Sequence, residues 1–202
     1  MDTDRRLVAV AERLFAERGV GAVSLRAVMQ AAGTNVAAVH YHFGSKQGLL
    51  DAVLRGRADQ VSSGRDSLLA RLSGADVTPR DLAEAFVRPV VAVLDDGGGY
   101  WVRLVGQMLA TGDDGLAAIA GSFAERNADF VERLERLSPG VAPATLHFRM
   151  VQAMHLTLHV LGDVGRTQRL LNHAEHPWNA DDVVSHLVDV VTAIFAGPPD
   201  RS

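Results

Sequence analysis

The chain has 202 residues, 48% of them hydrophobic, and that length gives one large domain or two small ones with a sizeable core. Its net charge of −4 and its lack of cysteine exclude a strongly basic chain, a disulfide framework and thiolate-held zinc. No run approaches the ~18 uncharged apolar residues of a membrane span, and the first residues lack a signal-peptide core, so a cytoplasmic chain without a membrane partner is expected.

The first predicted helix covers residues 3–18, where Leu7, Ala11, Leu14 and Phe15 recur at helical spacing before Gly19 and Gly21. Residues 24–46 then read SLRAVMQAAGTNVAAVHYHFGSK. Ser24 is a good N-cap, and Leu25, Val28, Met29 and Ala32 form an apolar stripe. Gly33 follows the stripe, where a residue of positive φ ends a helix. Thr34 or Asn35 caps a helix over 35–42 of about two turns. Val36 and Val39 face one way along it, and Phe43 extends that side. Asn35, Ala38, His40 and His42 are left on other faces. A short helix with hydrogen-bonding side chains outside is what a major-groove reader needs. Ser45 caps the next helix, which carries Leu49, Leu50, Val53 and Leu54 and runs to about Leu72. Gly56 and Ser62-Ser63-Gly64 weaken its middle, so a bend or break is expected near Gly64.

Thr78 and Pro79 open a helix over 79–94, with Leu82, Phe86, Val90, Val93 and Leu94 on its apolar side. Asp95 to Gly99 is a loop. A helix over 100–111 carries Trp101, Leu104, Val105, Met108 and Leu109. The next, over 115–137, holds Phe123, Phe130 and Leu134. Residues 143–162 form the most apolar helix, and a loop with one helical turn at 168–171 connects it to a last helix over 180–196. The fold class is all-α, with about nine helices and no strand pattern or repeat. A soft boundary near residue 57 separates residues 1–57, a three-helix DNA-binding unit, from residues 58–202.

The charge is unevenly divided along that boundary. Residues 1–57 hold eight basic against five acidic residues, net +3, and the remainder holds 12 against 19, net −7. A positive end on an acidic body suits a module that meets phosphates. Lys46, inside the 24–46 stretch, is the only lysine of the chain.

Residues 24–46 resemble the helix-turn-helix of the TetR family of bacterial transcriptional repressors. The resemblance rests on the Gly33 turn, the Val39-His40-Tyr41-His42-Phe43 run, and Gly44-Ser45-Lys46 ahead of Leu49-Leu50. In the commoner family pattern a Leu-Tyr pair stands where this chain has Val39-His40, with Tyr41 one position later. The resemblance implies contacts to a double-stranded DNA operator at Arg26, Asn35, Val36, Ala37, His40, His42 and Lys46. By their chemistry, Asn35 and His40 suit base edges, Val36 and Ala37 suit a thymine methyl, and Thr34, Tyr41 and Lys46 suit phosphates. Ser24 completes the assigned DNA surface.

The 143–162 and 180–196 helices are apolar on more than one face, which calls for a covering partner. The resemblance names that partner as a second copy, and Val151, Leu158, Leu187, Val190, Val191 and Ile194 are the expected homodimer contacts. The same resemblance implies a cavity for a small-molecule effector, largely apolar. Its expected lining is Phe86, Trp101, Leu104, Met108, Phe123, Met150, Met154, His155 and His159, since Met and aromatic residues line adaptable apolar pockets. The expected function is a ligand-responsive dimeric repressor that needs no metal and no cofactor. A different class, an all-helical enzyme, would use His155 and His159, whose spacing of four suits metal ligation. A third is a helical adaptor that dimerises without DNA.

Overall fold

In the computed structural model of the protein, residues 3–34, 43–72, 77–112, 128–171 and 177–198 are described. Among them are nine helices and no strand. They are α1 (Thr3–Arg18), α2 (Leu25–Ala32), α3 (Lys46–Arg71), α4 (Pro79–Asp95), α5 (Gly99–Thr111), α6 (Ala128–Leu137), α7 (Pro143–Gly162), α8 (Val164–Leu171) and α9 (Ala180–Ala196). The helix expected over 35–42 and the start of the one expected over 115–137 lie outside the described residues.

The helix ends follow from local chemistry. Thr78 and Asp81 form a capping box with Pro79 in the first turn of α4, and Asn179 and Asp182 form another at α9. In α8, Asp163 Oδ1 accepts from the Arg166 N–H at 2.9 Å. That cap extends the single turn expected at 168–171 into a helix starting at Val164. The break expected near Gly64 is absent. Residue 64 sits inside the unbroken α3, and a Cβ there would lie 3.2 Å from Pro89 Cβ on α4. The glycine serves close helix packing, and the contact it permits outweighs its poor helix propensity.

α1 packs on α2, α3 and α5, joining the small N-terminal unit to the body. Leu7, Ala11, Phe15, Val28 and Leu50 form its core, each 1% exposed or less. In the body, α4 packs between α3 and α9, while α5 packs on α7 and α7 on α9. Its centre is a triangle of Phe86, Phe130 and Phe195 from α4, α6 and α9, with ring centroids 5.4–5.5 Å apart. All three are at most 3% exposed. Arg149 of α7 donates to the Phe195 carbonyl near the end of α9, and Arg133 of α6 to the Leu72 carbonyl at the end of α3. Each arginine satisfies a carbonyl that a helix end leaves open.

Phe195→Ala should cost about 3–5 kcal/mol, because it removes one ring of a buried triangle and leaves a cavity in its place. Urea unfolding followed by circular dichroism measures this as a lowered midpoint.

Candidate nucleic-acid interface and effector cavity

The N-terminal surface is built by two caps. Ser24 Oγ accepts from the Ala27 N–H at 3.2 Å and starts α2. At the other end, Gly33 is left-handed at φ 62°, its N–H reaching the Gln30 carbonyl while the Thr34 N–H reaches that of Met29. This pair of bonds is a Schellman ending, and it turns the chain sharply after two helical turns. Val28, Met29 and Ala32 are buried beneath, and Arg26 is exposed on the other side.

On the far side of the turn, Ser45 Oγ accepts from the Gly48 N–H at 3.1 Å and starts α3. Lys46 is the first residue of α3, so its cation sits at the positive end of the helix dipole. Gly48 is one residue whose role the sequence pattern did not show. A Cβ there would lie 2.1 Å from the Phe43 carbonyl oxygen, so only glycine fits. Its signal was a glycine in the first turn of a helix, where propensity disfavours it.

The N-terminal unit is fixed to the body by polar bonds. Trp101 Nε1 of α5 donates to the Leu54 carbonyl of α3 at 3.1 Å, and Gln107 of α5 donates to the Ala16 carbonyl of α1 at 3.3 Å. Arg57 of α3 meets Asp96, in the turn before α5, at 2.6 Å. That hydrogen bond, with a weaker one from Gln60, holds the Asp96 carboxyl below its usual range. Burial pushes the Glu12 carboxyl of α1 up, against Arg57 and a backbone hydrogen bond from Trp101, which both hold it down.

A small cavity of about 20 Å³ lies in the body between α3, α4, α5 and α7. Phe86, Val90, Trp101, Val105, Leu158 and Met154 give it apolar walls, and Val61, Arg65 and Thr157 complete it. Arg65 is 4% exposed, with its guanidinium carbon 4.7 Å from the Phe86 ring centre and 5.6 Å from that of Phe130. Burial pushes its pKa down to about 10, against a smaller upward pull from Asp66, so the side chain stays charged at neutral pH.

Both parts of this arrangement have counterparts in known proteins. Residues 7–53 match the model of the bacterial regulatory proteins of the tetR family, and residues 84–193 match that of the tetracyclin repressor-like C-terminal domain. The chain belongs to the TetR family. The HTH-type transcriptional repressor KstR2 of Rhodococcus jostii (strain RHA1) is 39% identical over 69 residues, 30% of this chain and 34% of that protein. The HTH-type transcriptional regulator BetI of Rhizobium meliloti (strain 1021) is 33% identical over 84 residues, 42% of this chain and 39% of that protein. The matched stretches thus span well under half of these curated relatives. Among solved structures, the ketosteroid transcriptional regulator KstR2 of Mycobacterium tuberculosis aligns with a TM-score of 0.64 at 18% identity, covering 95% of this chain and 93% of that one. Mycobacterium smegmatis AmtR aligns with a TM-score of 0.64 at 16% identity, covering 99% and 89%. At such identities the likeness is one of fold.

In this TetR-family chain the residues expected at the DNA divide into two groups. Ser24, Arg26 and Lys46 frame the turn as described, while the Thr34 hydroxyl oxygen is buried at it. Asn35, Val36, Ala37, His40, Tyr41 and His42 lie outside the described residues. Of the residues expected around the effector, Phe86, Trp101 and Met154 line the cavity. Leu104 and Met108 are buried in the core away from it, and Met150 packs half-buried against that core. Phe123 lies outside the described residues. His155 and His159 are exposed and line an outer groove with Gly106, Leu109 and Gln152, because their positions on α7 face away from the interior. Among the described residues no third His, Cys, Asp or Glu forms a metal-binding group with them.

Val61, Arg65 and Thr157 were not anticipated. The signal for Arg65 was available: Leu54, Ala58, Val61, Arg65 and Leu69 recur at spacings of three and four, all buried, so the arginine interrupts an apolar stripe. Of the expected dimer contacts, Leu158, Leu187 and Val191 are at most 5% exposed and face the chain's own core. Val151 and Val190 are 38% and 49% exposed, and Ile194 is half-buried.

Two glycines of α3 should respond oppositely to alanine. Gly48→Ala should destabilise by about 1–3 kcal/mol, since the methyl meets backbone. Gly56→Ala meets nothing within 4 Å and should stabilise by about 0.5–1 kcal/mol. Urea midpoints of the two variants check the signs.

Proposed function

We propose that the protein is a ligand-responsive transcriptional regulator. In this reading it binds a near-palindromic double-stranded operator as a homodimer, represses there, and is released when a small, largely apolar effector enters the body. It belongs in the cytoplasm, with the DNA head in residues 1–57 and the effector and dimer unit in 58–202. The observation that carries the reading is the continuity of α3. Its first turn, with Ser45 and Lys46, belongs to the head, and its middle, with Val61 and Arg65, lines the cavity. A ligand that prefers a wider cavity therefore prefers a different setting of α3, and with it of the head.

Arg26 and Lys46 supply positive charge beside the turn, and the α3 N-terminus favours a phosphate there. Within the proposal, Asn35, Val36, Ala37 and His40 read bases, while Thr34, Tyr41 and His42 complete the contact surface. Support for a dimer comes from α7 and α9, where Phe148 is 63% exposed and Val151 and Val190 are open as well. A second copy would take these apolar side chains out of water, and a two-fold protein matches half-sites one helical turn apart. An enzyme built on His155 and His159 is the weaker reading, since two exposed imidazoles fall short of the ligand set of a catalytic metal.

Arg26→Ala and Lys46→Ala should each weaken binding to the DNA upstream of the protein's own gene about tenfold, and Lys46→Ala should flatten the salt dependence by about one phosphate contact. Titrations at several salt concentrations measure both, and affinities unchanged in both variants would refute the DNA reading of this surface. Sedimentation equilibrium should find twice the chain mass of 21.6 kDa, and Val190→Asp should shift it toward the single chain. A wild-type monomer at micromolar concentration removes the dimer.

A further inference from the structure

Two histidines of α7 have no part in the DNA surface or the body cavity. His155 and His159 stand one turn apart, both exposed, and line an outer groove of about 360 Å³ with Gln152 and Leu156. Two other histidines of the body spend a ring nitrogen on the carbonyl four residues back. His147 Nδ1 lies 2.8 Å from the Pro143 oxygen, and His186 Nδ1 lies 2.8 Å from that of Asp182. Neither His155 nor His159 makes such a bond among the described residues, so both rings keep their nitrogens for a ligand. The helix that carries them is firmly held. Gly106 lets α5 approach so closely that a Cβ there would lie 3.2 Å from the Leu158 carbonyl oxygen.

Two imidazoles four residues apart on one helix face are half of a tetrahedral metal set. Within one chain, no third His, Cys, Asp or Glu among the described residues completes it. The stripe on which the pair stands points to the other half. Phe148, Val151, His155 and His159 recur at spacings of three and four along α7, and all four are exposed. A second copy that covers Phe148, Val151 and Val190 reaches the next turn of α7 as well. The two-fold operation that places it brings an identical histidine pair to the same face. We propose that His155 and His159 of two copies form an interfacial site for a divalent transition-metal ion of the zinc class, held by four imidazoles. This rests on the reading of the chain as a homodimer. Imidazole suits zinc, nickel and copper, whereas magnesium and calcium take oxygen ligands. Covering the ring nitrogens between two apolar faces strips them of water, and the ion supplies the partner they would lack. An ion that binds where two copies meet, and not to the separate chains, draws the chains together.

The test is sedimentation of the full chain across micromolar concentrations in EDTA, with Zn²⁺ and with Mg²⁺, beside metal analysis after dialysis. Zinc should lower the dimer dissociation constant at least tenfold and be retained at one ion per two chains, while magnesium should do neither. His155→Ala and His159→Ala should each abolish the zinc effect. Both positions are exposed, so circular dichroism should match wild type. His147→Ala, on the same helix, should leave the effect unchanged. The proposal is overturned if zinc does not tighten the dimer, if one zinc is retained per chain, or if either α7 variant keeps the effect. A dimer in EDTA that zinc leaves unaltered overturns the site and leaves the homodimer standing. A monomer in EDTA that dimerises with zinc supports the site and makes the assembly metal-dependent. A monomer under all three conditions overturns both readings.

Discussion

The constraint on which the rest of the structure depends is that one helix belongs to two cores. α3 is 26 residues long, about 39 Å of rigid rod. Leu49, Leu50, Val53 and Leu54 bury its first half in the N-terminal unit, and Ala58, Val61, Arg65 and Leu69 bury its second half in the body. A helix held in both places cannot be reset at one end without consequence at the other. The bonds that cross the junction lie beside this rod: Trp101 on the Leu54 carbonyl, Arg57 on Asp96, and Gln107 on the carbonyl of Ala16. They fix the angle of the head with a handful of polar contacts, few enough for ligand binding to compete with them.

The two cores are built differently. The N-terminal one is aliphatic around Phe15, small, and closed by caps and a tight turn. The body centres on three phenylalanines and admits a cation at their edge, where the face of Phe86 offsets part of what Arg65 loses on leaving water. An apolar side chain of the same size would make a more stable core at that position.

The features that were legible in the amino-acid sequence were those with a local cause. Ser24, Ser45 and Thr78-Pro79 start helices where their capping chemistry says, and Gly33 ends one. The buried stripe of α1 follows directly from its spacing. What was not legible needed a neighbour. Gly64 looks like a helix breaker until Pro89 is placed against it. Gly48 has no visible purpose until the chain folds back and brings the Phe43 carbonyl to it. Leu158 and Val191 sit on helices apolar all round, where sequence does not tell the inward face from the outward one. For the cavity, the aromatic and methionine lining at Phe86, Trp101 and Met154 was readable as a pattern. The arginine beside it was hidden as one charged residue in a long helix.

The placement of the two tryptophans gives the molecule an optical reporter of its own. Trp101 is 3% exposed, lines the cavity and holds α3 through its indole nitrogen, whereas Trp178 is half-buried with its ring centre 4.3 Å from that of His186. The first indole occupies the junction between cavity and head, and the second stands beside α9 in a different groove. Emission from the first therefore reports on the setting of α3 without any added label. The second, in the groove that holds Val190, reports on a different part of the body.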